Sequence, residues 1–154
     1  TIPGFNLPTH AYQPPRLDFG PRFHSEGIAD IIPPKVGKSF RALLPAVNAD
    51  GNETSGIVLP EVAVPLGTYT GWNLRSPQVG AETMLSPLDG MFIPFAKTKA
   101  EREKTGDQRL SLEERYPTRE EYLSRFKEAA KKLHDDGFLL EEDVVRIIER
   151  ASAQ

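Results

Sequence analysis

The stretch TREEYLSRFKEAAKKLHDDGFLLEEDVVRIIERA, residues 118–151, decides the fold class. Thr118 precedes Glu121 by three positions, which is the spacing of a capping box at a helix start. Leu123, Phe126, Ala130 and Leu133 then recur at intervals of three and four, so one face of the helix is apolar. Gly137 stands where a helix C-cap belongs. A second run from Glu141 to Ala151 carries Val144, Val145, Ile147 and Ile148 at helical spacing. Two amphipathic helices joined by a short glycine-containing link predict an αα-hairpin. The same capping-box spacing recurs in Ser111-Leu112-Glu113-Glu114, before Pro117, and predicts one short helical turn there. Thr98 to Lys104 reads as a short charged helix ending at Gly106.

Towards the N-terminus the helical period stops at Pro94, and the composition changes with it. Of the 41 charged residues in the 154-residue chain, 27 fall in residues 95–154, whereas 13 of the 14 prolines fall in residues 1–94. The two parts must therefore be built differently. Ser39 to Val62 reads as a β-hairpin around Asn48-Ala49-Asp50-Gly51-Asn52-Glu53, because Asp-Gly between apolar runs is a strong turn signal. Pro45 and Pro60 each remove a ladder donor and suggest edges or bulges. Val64 to Leu74 continues extended, and Ser76 to Pro94 reads as loop. Residues 1–37 hold seven prolines, which disfavour helices and central strands. Yet Phe5, Leu17, Phe19, Phe23, Ile28, Ile31 and Ile32 make this segment too apolar for a disordered tail. The expected architecture is α+β: a proline-rich extended arm (1–37), a small antiparallel β-hairpin or sheet with loops (38–94) and a helical region (95–154) ending in the αα-hairpin. The three are expected to form one structural unit.

Composition narrows function. The chain has no cysteine, which excludes disulfides, thiolate metal sites and a cysteine nucleophile. A net charge of −3 gives nucleic acid no general electrostatic attraction. No run of 18 apolar residues suggests a membrane span, and the first residues carry no basic stretch followed by an apolar one, so neither a membrane nor a secretion signal is expected within the chain. No G-x-S-x-G, P-loop, G-x-G-x-x-G or H-E-x-x-H is present. No cofactor and no metal are therefore expected. The loop at Asn48–Glu53 offers oxygens at alternate positions but lacks the glycine and glutamate placement of a calcium loop. Asn52-Glu53-Thr54 fits the N-glycosylation sequon. Among His10, His24 and His134, only His24 is flanked by a hydroxyl and a carboxylate, Ser25 and Glu26. It is the one catalytic candidate, although adjacent residues rarely aim at one reacting atom. No catalytic triad is identifiable.

The most unusual segment is Gly67-Thr68-Tyr69-Thr70-Gly71-Trp72-Asn73-Leu74-Arg75, with the only tryptophan. Trp72, Asn73 and Arg75 are the substrate-pocket candidates: an aromatic wall, with an amide and a guanidinium to orient a carbonyl or carboxylate. The plainer reading has Trp72 plugging the core and the other two tying down backbone carbonyls. This segment, Leu17-Asp18-Phe19-Gly20-Pro21, Val47–Glu53, Ile93-Pro94-Phe95-Ala96 and Gly106–Tyr116 together resemble the C-terminal part of the bacterial alpha/beta hydrolase domain-containing proteins. The sequence departs from that pattern at Gly67 and Gln108, where alanine and proline are expected. The resemblance implies a larger serine-nucleophile hydrolase, esterase-like, whose nucleophile and histidine lie upstream, so that this chain is an accessory segment without its own triad. The implied partner, reached through residues 1–37, is the remainder of that hydrolase. A non-enzymatic module docking a partner protein through the same apolar arm is the alternative.

Overall fold

The computed structural model describes residues 2–3, 12–40, 45–80, 84–86 and 89–153. They form a mixed α+β fold in two compact units: Thr1–Leu7, Pro45–Asn73 and Ser86–Gln154 make the first, Pro8–Leu44 and Leu74–Leu85 the second. In chain order the elements are β1 (Pro15–Asp18), α1 (Phe23–Glu26), β2 (Lys35–Ser39), α2 (Pro60–Ala63), β3 (Gly67–Thr70), β4 (Asn73–Leu74), β5 (Leu85–Ser86), β6 (Met91–Pro94), α3 (Lys99–Thr105), α4 (Leu112–Arg115), α5 (Arg119–Asp135) and α6 (Glu141–Ser152). The strands pair as three two-stranded sheets, β1 with β2, β3 with β6, and β4 with β5.

The first unit is organised by its helices. Thr118 caps α5 by accepting the Glu121 N–H at 3.1 Å. The C-terminus of α5 closes as a Schellman motif: Phe138 N–H reaches Leu133 O at 2.9 Å and Gly137 N–H reaches His134 O at 2.9 Å. That turn needs a left-handed residue, and Gly137 supplies it with φ 81°. α6 returns against α5, so the predicted αα-hairpin forms. Its apolar stripe packs into a core of Val64, Tyr122, Phe126 and Ala151, flanked by Leu66, Tyr116, Leu123 and Ile147. Both shorter helices also form where their caps predict, α3 behind a Thr98–Glu101 capping box and α4 behind Ser111–Glu114. Among the described residues no helix is long and apolar enough to cross a membrane.

Two expectations need correction. The hairpin over residues 39–62 shrinks to a tight loop. Its turn forms at Asn48–Gly51, with Asn48 N–H on Asn52 O and Thr54 N–H on Ala46 O, around one bridge between Val47 and Glu53. No outgoing strand follows, because Pro60 begins a helical turn instead. Residues 41–44 of the incoming side lie outside the described residues. The real sheet of this unit pairs β3 with β6 antiparallel, Gly67 opposite Pro94 and Thr70 opposite Met91, so part of the segment read as loop is a strand. Gly67 makes that pairing possible: a Cβ there would stand 2.5 Å from the Ile93 carbonyl oxygen. The alanine expected from the resemblance does not fit this backbone.

The second unit is more structured than a plain extended arm. β1 and β2 pair antiparallel, with Leu17 opposite Val36 and Asp18 opposite Lys35. Phe19 O accepts the N–H groups of Asp30 and Ile31 at 2.8 and 3.0 Å, and Arg22 pairs with the Asp30 carboxylate. Pro14, Pro15 and Pro34 stand at or just beside the ends of these strands, as a missing donor demands. Of the described residues of this unit whose exposure is known, none is buried.

Candidate functional site

Among the described residues, a buried polar cluster in the first unit brings together charged and polar side chains. Arg109, 5% exposed, lies at its centre. Its Nε and Nη2 grip the Asp107 carboxylate, with Nη2 to Oδ2 at 2.6 Å. Nη1 donates to Thr68 Oγ1 at 2.9 Å and to the Ile93 carbonyl at 3.0 Å, and Nη2 also donates to the Pro94 carbonyl at 3.2 Å. The five guanidinium protons are thus all engaged. Burial works to raise the Asp107 carboxyl, but the hydrogen bonds and charge of Arg109 outweigh it and hold the group below the usual carboxylate range.

Asn52 is fully buried and bridges the same sheet. Its Nδ2 donates to Gly67 O at 3.1 Å and its Oδ1 accepts Tyr69 N–H at 2.7 Å, so one amide stands in for a third strand beside β3. Thr68 Oγ1 donates to the carbonyl of Asp50, whose carboxylate pairs with Arg115. Phe95 is buried beside two cations, with the Arg115 guanidinium 4.1 Å and that of Arg109 5.2 Å from its ring centre. Nearby, Glu114 accepts the Ser111 N–H and hydroxyl and pairs with Arg102 at 2.8 Å, which brings its carboxyl down to about 2. These groups are hydrogen-bonded or ion-paired chiefly to one another.

Clefts among the described residues of this unit offer room for a ligand. One of about 320 Å³ has Leu66, Tyr116, Tyr122 and Ala151 as its apolar floor, with Glu113 and Arg119 at the rim. Burial pushes the Tyr116 phenol up to about 12, and burial likewise raises Tyr122, so both stay protonated donors at neutral pH. Another, of about 530 Å³, is lined by Ile57, Ala129, Leu133 and Phe138, with the Lys132–Asp136 ion pair at its edge. Both combine an apolar floor with a few charged side chains. Among the described residues no group of three acidic or histidine side chains could hold a metal ion.

The sequence-predicted residues lie elsewhere. Trp72 and Asn73 are half-buried just after β3, where the Trp72 carbonyl accepts the Thr70 hydroxyl at 2.5 Å. Arg75 is exposed and belongs to the second unit, and neither cleft is lined by any of the three. His24 sits on α1, exposed, with its ring edge-on to Phe23 at 5.7 Å. No hydrogen bond joins it to Ser25 or Glu26. His134 is exposed near the end of α5, and His10 lies outside the described residues. Asp107 and Arg109 are buried although they stand in the charge-rich part of the chain, where no motif in the sequence singles them out. The signal available for them was their place in the Gly106–Tyr116 stretch that carries the resemblance.

The family model described as the alpha/beta hydrolase domain matches residues 14–149. The chain belongs to that family. No curated protein and no solved structure matches it. Within this member of the alpha/beta hydrolase domain family, the motifs behind the resemblance supply Asp50, Asn52, Thr68, Asp107, Arg109 and Arg115, which are the polar core just described.

Proposed function

We propose that this chain is the supporting C-terminal segment of a serine-type, esterase-like hydrolase of the alpha/beta hydrolase domain family. It braces the catalytic part and contributes Trp72, Asn73 and Arg75 to the wall of its substrate pocket. The observation that carries this reading is the saturation of the polar core: the strongest acids and bases of the first unit are spent on one another, as a scaffold spends them. In this role Trp72 packs against the acyl or alcohol portion of a carboxylic ester, and Asn73 and Arg75 orient its carbonyl.

Turnover of p-nitrophenyl esters by the protein carrying the catalytic serine tests it. Trp72→Ala and Arg75→Ala should raise KM with the smaller effect on kcat, and the 154-residue chain alone should show no turnover. Turnover by the chain alone, abolished by His24→Ala or Ser25→Ala, would overturn the reading. A second reading, a non-enzymatic interaction module docking through residues 1–37, draws on the exposed apolar residues of the second unit. It predicts that Trp72→Ala and Arg75→Ala leave ester kinetics unchanged.

A further inference from the structure

The chain holds three Asp-Gly pairs, Asp50-Gly51, Asp89-Gly90 and Asp136-Gly137, and all three lie in the first unit. In such a pair the backbone nitrogen of glycine can attack the aspartate carboxyl, because no Cβ shields it. The glycine nitrogen bonds to the aspartate Cγ and gives up its proton, and one carboxyl oxygen leaves as water. The product is a succinimide ring. Water then opens the ring at the α-carbonyl and leaves isoaspartate, so the water lost is regained and nothing is oxidised. Ring closure needs both the carboxyl and the glycine N–H to be free of other partners.

Two of the pairs are held. Both carboxylate oxygens of Asp50 accept from Arg115, and Gly51 N–H is bound to Asn48 O at 3.0 Å. The Asp136 carboxylate accepts Lys132 Nζ at 2.5 Å, and Gly137 N–H is bound to His134 O at 2.9 Å in the turn that closes α5. The third pair differs. Asp89 and Gly90 are exposed, and the only hydrogen bond to the carboxylate among the described residues comes from the Ser86 hydroxyl at 3.3 Å. No described residue holds the Gly90 N–H, because β6 begins one position later, at Met91.

We propose that Asp89-Gly90 is a site of isoaspartate formation in the native protein. The change inserts one backbone atom immediately before β6, whose first residue, Met91, stands opposite Thr70 on β3. Gly90 abuts that strand closely: a Cβ built on it would lie 2.8 Å from the Thr70 carbonyl oxygen. The lengthened link therefore disturbs the start of the β3–β6 pairing.

Tryptic mapping of native protein incubated warm at neutral pH tests the site, because the three pairs fall on separate peptides, 42–75, 76–97 and 133–146. Isoaspartate is read by methyl transfer from S-adenosylmethionine with an isoaspartyl methyltransferase. Label should enter peptide 76–97 severalfold faster than either of the others, and the difference should close in denaturant, where the protecting bonds are gone. Asp89→Glu, which would need a larger ring, should abolish that label while keeping the circular dichroism spectrum. The incubated protein should unfold at lower denaturant than fresh protein, and Asp89→Glu should be spared that loss. Absence of label from 76–97, or equal label in all three peptides of the native protein, would overturn the site. A difference that persists in denaturant would overturn the structural account of it, and an unchanged midpoint in labelled protein would overturn the effect on β6.

Discussion

At Arg109 a single side chain joins Asp107, Thr68, β6 and the Phe95 ring. Arg109→Ala leaves the buried Asp107 carboxylate without its counter-charge and should cost about 3–5 kcal/mol. Chemical denaturation of the purified chain, read by the fluorescence of Trp72, gives the difference directly. Gly67→Ala forces a methyl onto the Ile93 carbonyl and should destabilise by about 1–3 kcal/mol through displaced backbone. A wild-type midpoint for Gly67→Ala would show that β3 and β6 stand further apart than the contact requires. Neither residue announced its role in isolation. Arg109 belongs to a segment whose charges look solvated, and its partners Thr68, Ile93 and Pro94 come from more than a dozen positions upstream.

Elements whose information is local were the legible ones. α5 could be read from Thr118, Glu121 and Gly137 because caps and a 3.6-residue period act within a few positions. Thr118→Ala removes the acceptor for Glu121 N–H and should cost about 1 kcal/mol, with earlier thermal loss of helical ellipticity. The β3–β6 pairing joins residues more than 20 positions apart, and no turn signal marks it. The predicted hairpin had the right turn and the wrong continuation: Asp50-Gly51 turns the chain, but Pro60 then starts a helix, where its missing N–H costs nothing. β1 and β2 escaped because seven prolines argue against strands in general, whereas a two-stranded pair consists of edges only, where proline is tolerated. The pocket candidates Trp72, Asn73 and Arg75 were read from composition, and no period or spacing ties such residues to a cleft.

For the molecule as a whole, the polar core sets a pH dependence. Asp107 and Glu114 titrate below their ordinary values in the folded chain, Glu114 going from 4.5 to about 2. A depressed folded pKa contributes stability that is present above the unfolded value and lost as pH falls through the folded one. Unfolding midpoints should therefore be flat near neutrality and fall between about pH 4.5 and 2. Glu114→Gln should flatten that fall, and an unchanged acid limb in the variant would remove Glu114 from the account. The Asp107–Arg109 pair also holds the β6 carbonyls of Ile93 and Pro94, so protonating Asp107 should weaken the β3–β6 sheet. One consequence concerns biosynthesis. Asn52 lies in a sequon, yet its side-chain nitrogen is committed to Gly67 O inside a fully buried site. An oligosaccharyltransferase in a eukaryotic host could reach it only before this unit closes. A sugar chain found there would mark molecules in which the transferase outran folding, and its share should rise in Gly67→Ala, whose closed unit is less stable, as intact mass would show.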